Sequence, residues 1–364
     1  MTGQRLRFGI VGCGAIAPTH ASAIRQLGHI VAAVADPLTH RARRLAEQFA
    51  VPRVYADAAE LAADPELDVV CVCTPSGLHA EHGVAALSAG KHVIVEKPMD
   101  VSHDACDRLI RAADRADRKL SVISQHRFDA ASLLAYRLIQ SGELGQIVLA
   151  TADVKWWRSQ QYYDEGDWRG TWRFDGGGAL MNQGIHTVDL LQWLCGGVRA
   201  VRAATATLAH QRIEVEDVAV LSLELTNGAP ASLVATTAAF DGQPVRIEIH
   251  GTGGSILLEG DNLKRVALTS GQVFQTHAAA EHAIRIAQGG TAAVRDEAVT
   301  RPTAPPGAAW GDAHRAQIED FVRCVLEGGR PLIDGPSGRQ PVLIALAAYE
   351  SARRGGERVE IPPA

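Results

Sequence analysis

The residues of this sequence that are best suited to chemistry lie in a glycine-rich segment, residues 176–189. Three glycines precede an apolar stretch, residues 180–194, whose periodicity predicts a helix. Asn182 and His186 are four residues apart, so we expect them to share one face near the start of that helix. A helix start disfavours imidazolium, which would leave His186 neutral and able to accept a proton. The glycines would also let a ligand approach the backbone closely. A glycine loop that precedes a core helix with an incidental polar face is the alternative.

A second chemical motif, Glu96-Lys97-Pro98, follows a short apolar strand at residues 92–95. Proline restricts the backbone of the residue before it, so the ammonium of Lys97 would be held in one direction. The alternative is a surface lysine in a turn. Both motifs need a scaffold that brings them together.

The N-terminal motif Gly12-Cys-Gly14-Ala-Ile-Ala17 predicts part of that scaffold, because it follows a buried strand and opens a helix. Gly12 would make the tight turn and Gly14 would let the backbone approach a pyrophosphate. The small side chain of Ala17 would let the helix pack on the strand. The motif in this context predicts a dinucleotide-binding site.

The second strand, residues 30–35, ends in Asp36, about 20 residues beyond Gly14, where such sites place an acid on the ribose hydroxyls. A carboxylate there would repel a 2′-phosphate. We therefore expect NAD as the cofactor and regard NADP as the less favoured one. A helix cap before Pro37 is the alternative role for Asp36.

Strands and helices continue to alternate up to residue 124. Strands are predicted at 68–73, 92–95 and 120–124, and helices at 15–27, 76–89 and 101–118. Alternation of apolar strands with helices indicates a parallel sheet covered on both faces, which binds ligands at the carboxyl ends of its strands. Thr74, Lys97 and Gln125 all fall at such ends.

The alternation stops at Leu144-Gly145. Strands of an antiparallel or mixed sheet are predicted at 146–158, 198–208, 216–225, 230–239 and 244–250, helices at 314–327 and 341–353, and a loop at 289–307. The predicted fold is an α/β Rossmann domain, residues 1–125, followed by an α+β domain, residues 126–364, with a large open-faced, mostly antiparallel sheet. The open face is a candidate oligomer surface, so we expect a homodimer or homotetramer.

Residues 155–174 contain four of the six tryptophans, with arginines and acids between them. This composition predicts the wall of a pocket for a polyhydroxylated ring; a packing insert or a subunit contact is the alternative. Arg127, just after a strand end, is a further candidate substrate contact, with interdomain packing equally favoured.

The composition excludes several classes of protein. With 46% apolar residues, 21% charged residues and a net charge of −5, the chain is typical of globular proteins and offers no general footprint for nucleic acid. No apolar run is long enough to span a membrane, and no signal peptide is evident. Six scattered cysteines form no disulfide framework, and Cys71 and Cys73 are expected to be buried thiols. A cytoplasmic location is expected, and no metal site is predicted.

Taken together, the motifs resemble the Gfo/Idh/MocA oxidoreductases. The resemblance is carried by the residue 12–17 motif, Thr74-Pro75, Gly90-Lys-His92, residues 96–98, and the 176–189 segment that ends in Asp189. It implies oxidation or reduction of a sugar or cyclitol carbon with a nicotinamide cofactor. It also implies that Lys97 lies near the nicotinamide and the reacting hydroxyl, and that His186 is the acid/base. Position 182 is often Asp in the family, and the amide present here could only orient substrate or His186.

The motifs and the resemblance together define three sets of candidate residues. The candidate catalytic residues are Lys97, His186 and Asn182. The candidate cofactor contacts are Gly12, Gly14, Ala15, Ile16, Asp36, Thr74, Pro75, His79, Glu96, Lys97 and Gln125. The candidate substrate contacts are Arg127, Trp157, Arg158, Tyr163, Trp172, Asn182 and His186.

The expected reaction is hydride transfer between nicotinamide and a secondary alcohol of a sugar or cyclitol, with anhydrosugars and nucleotide sugars included. His186 would accept the hydroxyl proton while Lys97 stabilises the alkoxide. Two alternatives remain: cleavage of a glycoside through transient oxidation by NAD, and a cofactor-bound regulator without turnover.

Overall fold

The first of two sheets contains six parallel strands, in the order β3-β2-β1-β4-β5-β6. The computed structural model describes residues 4–275 and 311–362, so the loop predicted at 289–307 lies outside the described residues. The strands are β1 Arg7–Val11, β2 Ile30–Ala35, β3 Arg53–Tyr55, β4 Val69–Val72, β5 His92–Val95 and β6 Leu120–Val122. The predicted parallel sheet is confirmed, with β3 added; three residues are too few to give a periodic signal.

Helices follow the strands of the first sheet and cover it. They are α1 Ala17–Gln26, α2 Thr39–Phe49, α3 Ala58–Ala62, α4 His79–Ser88 and α5 His103–Ala116. The helix predicted at 76–89 begins as a 3₁₀ turn, Ser76–Leu78. The start of α5 is fixed by Ser102, whose side chain accepts a hydrogen bond from the main-chain N–H of Ala105.

The second sheet has nine strands, in the order β14-β13-β12-β11-β7-β10-β9-β8-β15. They are β7 Ile147–Lys155, β8 Val198–Ala206, β9 Val218–Leu225, β10 Pro230–Thr236, β11 Arg246–Gly251, β12 Gly254–Glu259, β13 Asn262–Leu268, β14 Val273–Phe274 and β15 Val359–Glu360. Only the central pair β7–β10 is parallel; the other pairs are antiparallel. The prediction of a large, mostly antiparallel sheet is confirmed.

Sequence reasoning missed β12 and β13, which form a hairpin after the predicted turn at 251–254. Both strands alternate buried and exposed residues only weakly, and the hairpin register shifts at Leu257/Leu258. Such a shift interrupts the two-residue period on which the prediction depends.

Five α-helices lie in the part of the chain after residue 129 that the structure describes. They are α6 Ala130–Gln140, α7 Gln160–Asp164, α8 Ile185–Leu194, α9 Asp312–Glu327 and α10 Gly335–Arg353. The last helix begins six residues earlier than Pro341, where sequence reasoning started it. Asp334 caps it by accepting a hydrogen bond from the main-chain N–H of Ser337, and Pro341 lies inside the helix.

Helix α9 returns to the first sheet. Its Ile318 and Phe321 are fully buried in one cluster with Phe8 and Ile10 of β1. The side chain of Gln317 accepts a hydrogen bond from the main-chain N–H of Ser124 at 2.9 Å and donates one to the Val122 carbonyl at 2.7 Å. Residues from both ends of the sequence therefore build the core under the first sheet.

The second sheet buries one face and leaves the other open. Along β9, Ala219, Leu221 and Leu223 are buried, whereas Val220 between them is 48% exposed. Helices α8 and α10 pack on the sheet. All six cysteines are buried and free, as predicted for Cys71 and Cys73. Within the two described ranges, no helix combines the length and hydropathy needed to cross a bilayer.

Candidate active site

Lys97 lies two residues beyond β5 and reaches across to the glycine-rich segment. Its Nζ donates a hydrogen bond to the main-chain oxygen of Asn182 at 3.0 Å. Its main-chain N–H donates to Oε2 of Glu96 at 3.1 Å. Burial lowers the pKa of Lys97, although the negative charges of Glu96 and Asp175 oppose that effect. The ammonium is therefore held at one place by a contact between the two halves of the chain.

Glu96 is buried beneath Lys97 and is paired with a histidine that sequence reasoning missed. Oε1 of Glu96 lies 2.7 Å from Nε2 of His20 on α1 and 3.9 Å from Nε2 of His314 on α9. Burial alone would raise the pKa of Glu96, but the hydrogen bond and charge of His20 outweigh it and lower that pKa to about 2. The carboxylate predicted to contact cofactor thus has an internal partner. His20 lies on the buried face of α1, and nothing in the sequence linked it to residue 96.

His186 lies in the first turn of α8 and has an imidazole neighbour. Its ring and that of His126 meet edge to face, with centroids 5.0 Å apart. Burial lowers the pKa of His186 well below its usual value, and the charges of His126 and Lys97 lower it further. The imidazole is therefore neutral near pH 7. The prediction assigned this effect to the helix start, whereas desolvation is its main cause in the structure.

His126 carries the charge that faces His186. Its Nδ1 lies 2.7 Å from Oδ2 of Asp129 and 3.2 Å from Oδ1 of Asp261, which lies in the β12–β13 turn. Burial would lower the pKa of His126, but these two carboxylates raise it to about 9. The three side chains offer ligand atoms within 4.8 Å of one another, and they are held together as ion pairs.

The predicted helix at 180–194 is broken into two parts. Residues Ala179–Gln183 form a π-helical turn, Gly184 follows, and α8 begins at Ile185. The side chain of Asn182 donates from Nδ2 to Oδ1 of Asp175 and accepts from Gln183 Nε2 at 2.9 Å. The expectation that Asn182 orients His186 from one face of a continuous α-helix is therefore wrong, because Asn182 turns toward Asp175.

The three glycines approach protein atoms, which corrects the expectation that they admit a ligand. A Cβ on Gly177 would lie 2.0 Å from the Tyr349 hydroxyl, and one on Gly178 would lie 2.0 Å from the Glu216 carbonyl. The Glu216 carboxylate accepts hydrogen bonds from the main-chain N–H groups of Gly178, at 3.1 Å, and Leu180, at 2.8 Å. These N–H groups hold the loop on the second sheet, so a ligand cannot use them.

Some side chains of the aromatic segment, residues 155–174, lie at the candidate site, and others are buried in the interior. Nη2 of Arg158 donates to Oε1 of Gln183 at 2.7 Å, and its guanidinium lies over the rings of Trp156 and Tyr162. Trp157 and Trp172 are 43% and 44% exposed, so their faces are accessible. Arg158 and Tyr162 both contact Gln183 at the end of the π-helical turn, whereas the ring of Trp157 meets Phe240 and that of Trp172 meets Tyr349.

Two predicted substrate contacts are not open to a ligand. Tyr163 is 5% exposed, and its hydroxyl lies 2.9 Å from Thr237 Oγ1. Arg127 is 2% exposed, and its Nε donates to Oδ2 of Asp189 at 2.8 Å. A buried guanidinium remains inside only when paired, so Arg127 has the alternative role of interdomain packing. Asp189, part of the resemblance, is its counter-charge.

The glycine turn after β1 fits a dinucleotide. Gly12 has φ +88°, and an added Cβ would lie 2.6 Å from the Cys73 carbonyl, so only glycine makes this turn. An added Cβ on Gly14 would meet no protein atom within 4 Å, which leaves open space at the turn. Ala15 is exposed and Ile16 half-buried beside that space.

Asp36 lies beside the same turn. Its Oδ2 accepts a hydrogen bond from the main-chain N–H of Cys13 at 2.8 Å, and its Oδ1 accepts one from Leu38 at 2.8 Å. The second bond closes a local turn; it does not cap α2, whose N-cap residue is Leu38 and which has no side-chain cap, so the alternative role of a helix cap is not the one observed. The first places the carboxylate between β1 and β2, where a ribose would lie.

The other candidate cofactor contacts surround the ends of β4, β5 and β6. His79 is buried and lies 2.8 Å from the Thr74 carbonyl and 2.7 Å from the Pro98 carbonyl, so it holds the strand ends together. Pro75 starts the 3₁₀ turn before α4. Gln125 is 5% exposed, and its Oε1 has no hydrogen-bond partner in the described part of the chain. An unpartnered buried acceptor at this edge fits a bound ligand that supplies a donor.

A small cavity at the carboxyl ends of β5 and β6 is lined by residues of both chemical motifs, so the two motifs are neighbours. Lys97 and His186 both line it. The remaining lining residues are Pro98, Met99, Val122, Ile123, Ser124, Ile185, Asp189, Gly338 and Pro341. An ammonium and a neutral imidazole on one cavity can stabilise an alkoxide and accept a proton.

Comparisons with known proteins agree with this arrangement. Residues 6–124 match the family model described as "Oxidoreductase family, NAD-binding Rossmann fold", and residues 133–257 match the GFO/IDH/MocA C-terminal domain. The crystal structure of the WlbA dehydrogenase from Bordetella pertussis, in complex with NADH and UDP-GlcNAcA, superposes with a TM-score of 0.86. Its sequence is 32% identical, with 100% of both chains covered.

Two further relatives match nearly the whole chain. Levoglucosan dehydrogenase from Pseudarthrobacter phenanthrenivorans is 25% identical over 96% of this chain and 97% of its own length. Myo-inositol 2-dehydrogenase from Thermotoga maritima is 25% identical over 95% of this chain and 96% of its own. This chain is therefore a member of the Gfo/Idh/MocA family, an NAD-binding oxidoreductase.

Proposed function

We propose that this chain transfers hydride between NAD and a secondary alcohol of a sugar ring, and that the sugar is linked to a nucleotide. The observation that carries the proposal is that Lys97 and His186 line one small cavity at the carboxyl ends of β5 and β6. Bound NAD supplies the hydride acceptor at its nicotinamide ring. The protein's own groups then have to manage one proton and one developing negative charge.

His186 is suited to the proton. Because burial and the neighbouring charges keep its pKa well below the usual value, the ring is a free base at neutral pH. Lys97 is suited to the charge, since its ammonium is held in a fixed direction by the Asn182 carbonyl. In the oxidation direction, His186 accepts the hydroxyl proton while Lys97 stabilises the alkoxide.

The residues around the π-helical turn support a large polar substrate. Arg158 and Gln183 offer a cation and an amide beside the Trp156 and Tyr162 rings, and the same segment carries the exposed Trp157 and Trp172. Arginine recognises phosphate and carboxylate groups, and aromatic faces stack on sugar or base rings. The WlbA dehydrogenase, solved with UDP-GlcNAcA, is 32% identical to this chain. The levoglucosan and myo-inositol dehydrogenases are each 25% identical. These observations favour a nucleotide sugar over a free cyclitol.

The substrate class is tested with UDP-GlcNAcA, free N-acetylglucosaminuronic acid, levoglucosan and myo-inositol. NADH absorbance is followed with protein in excess over NAD, so that one turnover is visible even if product stays bound. We expect the largest signal with the UDP-sugar. A protein that binds NADH but reduces NAD with none of the four would contradict the proposal. A larger signal with levoglucosan or myo-inositol would correct the substrate class.

Replacing either Lys97 or His186 should slow turnover strongly and leave cofactor binding unchanged. We expect Lys97→Ala and His186→Ala each to lower kcat by about 10²–10⁴, the range for a positioned acid/base, with NADH affinity retained. Lys119→Ala and His250→Ala, at exposed positions, are the matched controls. Near-normal turnover of His186→Ala at every pH would remove it from the proposed role.

Asp36 is expected to set the preference for NAD over NADP. Its carboxylate lies at the glycine turn and would repel a 2′-phosphate. Asp36→Ala should weaken NAD binding and narrow the gap between the dissociation constants of the two cofactors, measured by fluorescence titration. Asp57→Ala, at the cap of α3, is a control for general loss of a first-domain cap. Equal affinity of the unmodified protein for both cofactors would show that Asp36 has another role.

A further inference from the structure

A buried carboxylate lies next to the candidate site, at a position that the sequence motifs did not single out. Asp175 directly precedes the three glycines and is 2% exposed. Its Oδ2 accepts a hydrogen bond from the main-chain N–H of Gly170 at 2.8 Å. Its Oδ1 accepts one from the side-chain amide of Asn182. Both contacts are donors, which suits a carboxylate rather than a carboxylic acid.

One residue connects this carboxylate to the reactive ammonium. Asn182 donates from its side chain to Asp175 and accepts on its main-chain oxygen from Nζ of Lys97, at 3.0 Å. The side-chain oxygen of Asn182 accepts a hydrogen bond from Nε2 of Gln183. These three hydrogen bonds hold Asn182 in place. They therefore also hold Asp175 and Lys97 at a fixed position relative to each other.

The charges that face Lys97 show why Asp175 matters. Glu96, Asp175, Arg158, His186 and His314 act on it from the elements around it. Of the two acids, Glu96 already pairs with His20 at 2.7 Å. Among residues 4–275 and 311–362, Asp175 takes part in no ion pair within 4.0 Å, and the cations that act on its charge are Lys97 and Arg169.

We propose that Asp175 is a positioning residue that keeps Lys97 in its ammonium form, supplying through Asn182 the negative charge that an amide at position 182 lacks. Asp175 lies seven positions before Asn182 in the sequence, but its charge acts on the same ammonium of Lys97. The catalytic meaning of this inference rests on the proposed function, because it is the ammonium that stabilises the alkoxide.

The protonation states of the pair set the pH range over which it operates. Burial raises the pKa of Asp175 to about 6, although Asn182, Gly170 and Lys97 oppose that effect. Above that pH the carboxylate is charged, and it holds the pKa of Lys97 up against burial and Arg158. Without it, Lys97 would lose its proton at a lower pH.

The test measures Lys97 directly, without substrate. Lys97 is labelled with trace acetic anhydride at a series of pH values, and its modification is quantified by mass spectrometry relative to the exposed Lys264. In Asp175→Asn, we expect the midpoint of the Lys97 profile to move to lower pH by on the order of one unit. The alkaline limb of kcat/KM should move by the same amount, with NADH affinity retained.

Exchanging the two side chains separates a charge from a merely structural contact. The double variant D175N/N182D keeps one carboxylate, one amide and the hydrogen bond between them. We expect it to restore most of the Lys97 midpoint that D175N loses, whereas a purely structural role of Asp175 would leave the midpoint unmoved in D175N. Asp175→Ser, which also removes the charge and keeps an oxygen acceptor, replaces D175N if that variant does not fold.

An unchanged Lys97 profile in the folded charge-free variant would overturn the inference. So would a double variant whose Lys97 midpoint stays as low as that of D175N. Because labelling needs no substrate, either outcome is independent of whether the proposed reaction is correct. Conversely, a shifted Lys97 midpoint in a protein inactive on every sugar would support Asp175 and contradict the proposed function.

Discussion

The two imidazoles at the site have opposite protonation states although they touch. His126 is held as a cation by Asp129 and Asp261, while His186, 5.0 Å away between ring centroids, is held neutral. A cation beside a second imidazole disfavours a second positive charge. A surface hairpin of the second sheet, which carries Asp261, is thereby connected to His186, the group that we propose accepts the proton.

Removing the charge of His126 should therefore raise the pKa of His186. Oxidation needs neutral His186, so the acidic limb of kcat/KM should move to higher pH in His126→Asn, by roughly one unit or less because burial is the larger cause. The matched control is His103→Asn, an exposed histidine beside Asp104. An acidic limb at the same pH in both variants would show that the ring contact has no electrostatic consequence.

Sequence reasoning located the reactive residues of the site more readily than their partners. Lys97 and His186 stand in motifs with strong local signals, and the structure places both on one cavity. Arg127 is a candidate substrate contact because it follows a strand end, with interdomain packing equally favoured, and Tyr163 is one because it lies in the aromatic segment. Burial and pairing decide against that role, and both depend on residues such as Asp189 and Thr237 that are far away in sequence.

At the scale of elements, the loop before α8 is held in place by the side chains of Glu216 and Tyr349, which bind main-chain N–H groups of the loop. Glu216 binds two N–H groups of the loop and accepts a hydrogen bond from the Tyr349 hydroxyl at 2.9 Å. Tyr349 in turn accepts one from the main-chain N–H of Met181 at 3.2 Å. The π-helical turn that carries Asn182 thus depends on β9 and α10, which sequence periodicity could not reveal.

Gly178→Ala should disturb these contacts. Its Cβ would lie 2.0 Å from the main-chain oxygen of Glu216, so the loop must shift. We expect a loss of about 1–3 kcal/mol in the free energy of unfolding, the range for overpacking, measured by urea denaturation, together with a lower kcat. Gly166→Ala, whose nearest contact would be 3.5 Å, is the control. Equal stability of the two variants would mean that the loop is not tightly clamped.

At the scale of the whole molecule, the open face of the second sheet carries exposed apolar residues among polar and charged ones such as Asp153 and Arg246. Val220 on β9 pairs with Val234 on β10, and Leu149 lies further along the neighbouring strand β7. Val220 is 48% and Leu149 40% exposed. Exposed apolar side chains grouped on one sheet face are typical of an interface. We propose that this face joins copies of the chain into a dimer or tetramer.

Val220→Glu should weaken that assembly, because an isologous contact repeats a like charge on both copies. We expect light scattering after gel filtration to show an oligomer for the unmodified protein and smaller species for the variant. Leu208→Glu, at an exposed position after β8, should leave the mass unchanged. A monomeric unmodified protein would refute the proposed interface.

The fold class could be read from the sequence because period and glycine placement are local signals. The two-residue strands β14 and β15, and the return of α9 to the first sheet, could not, since each depends on contacts between distant segments. The division of the chain after residue 125 stays a prediction.

The return of α9 has a consequence for how the chain is made. The strands of the first sheet are synthesised early. Ile318 and Phe321 pack against β1 but are synthesised only near the end of the chain. Until then the apolar face of the first sheet that α9 covers is accessible to chaperones and to other nascent chains. Covering it requires contact between segments that are far apart in the sequence, which has an entropic cost. The residues that complete the core of the first sheet are adjacent in the fold but far apart in the sequence. The folding of this sheet is therefore completed only after most strands of the second sheet have been synthesised.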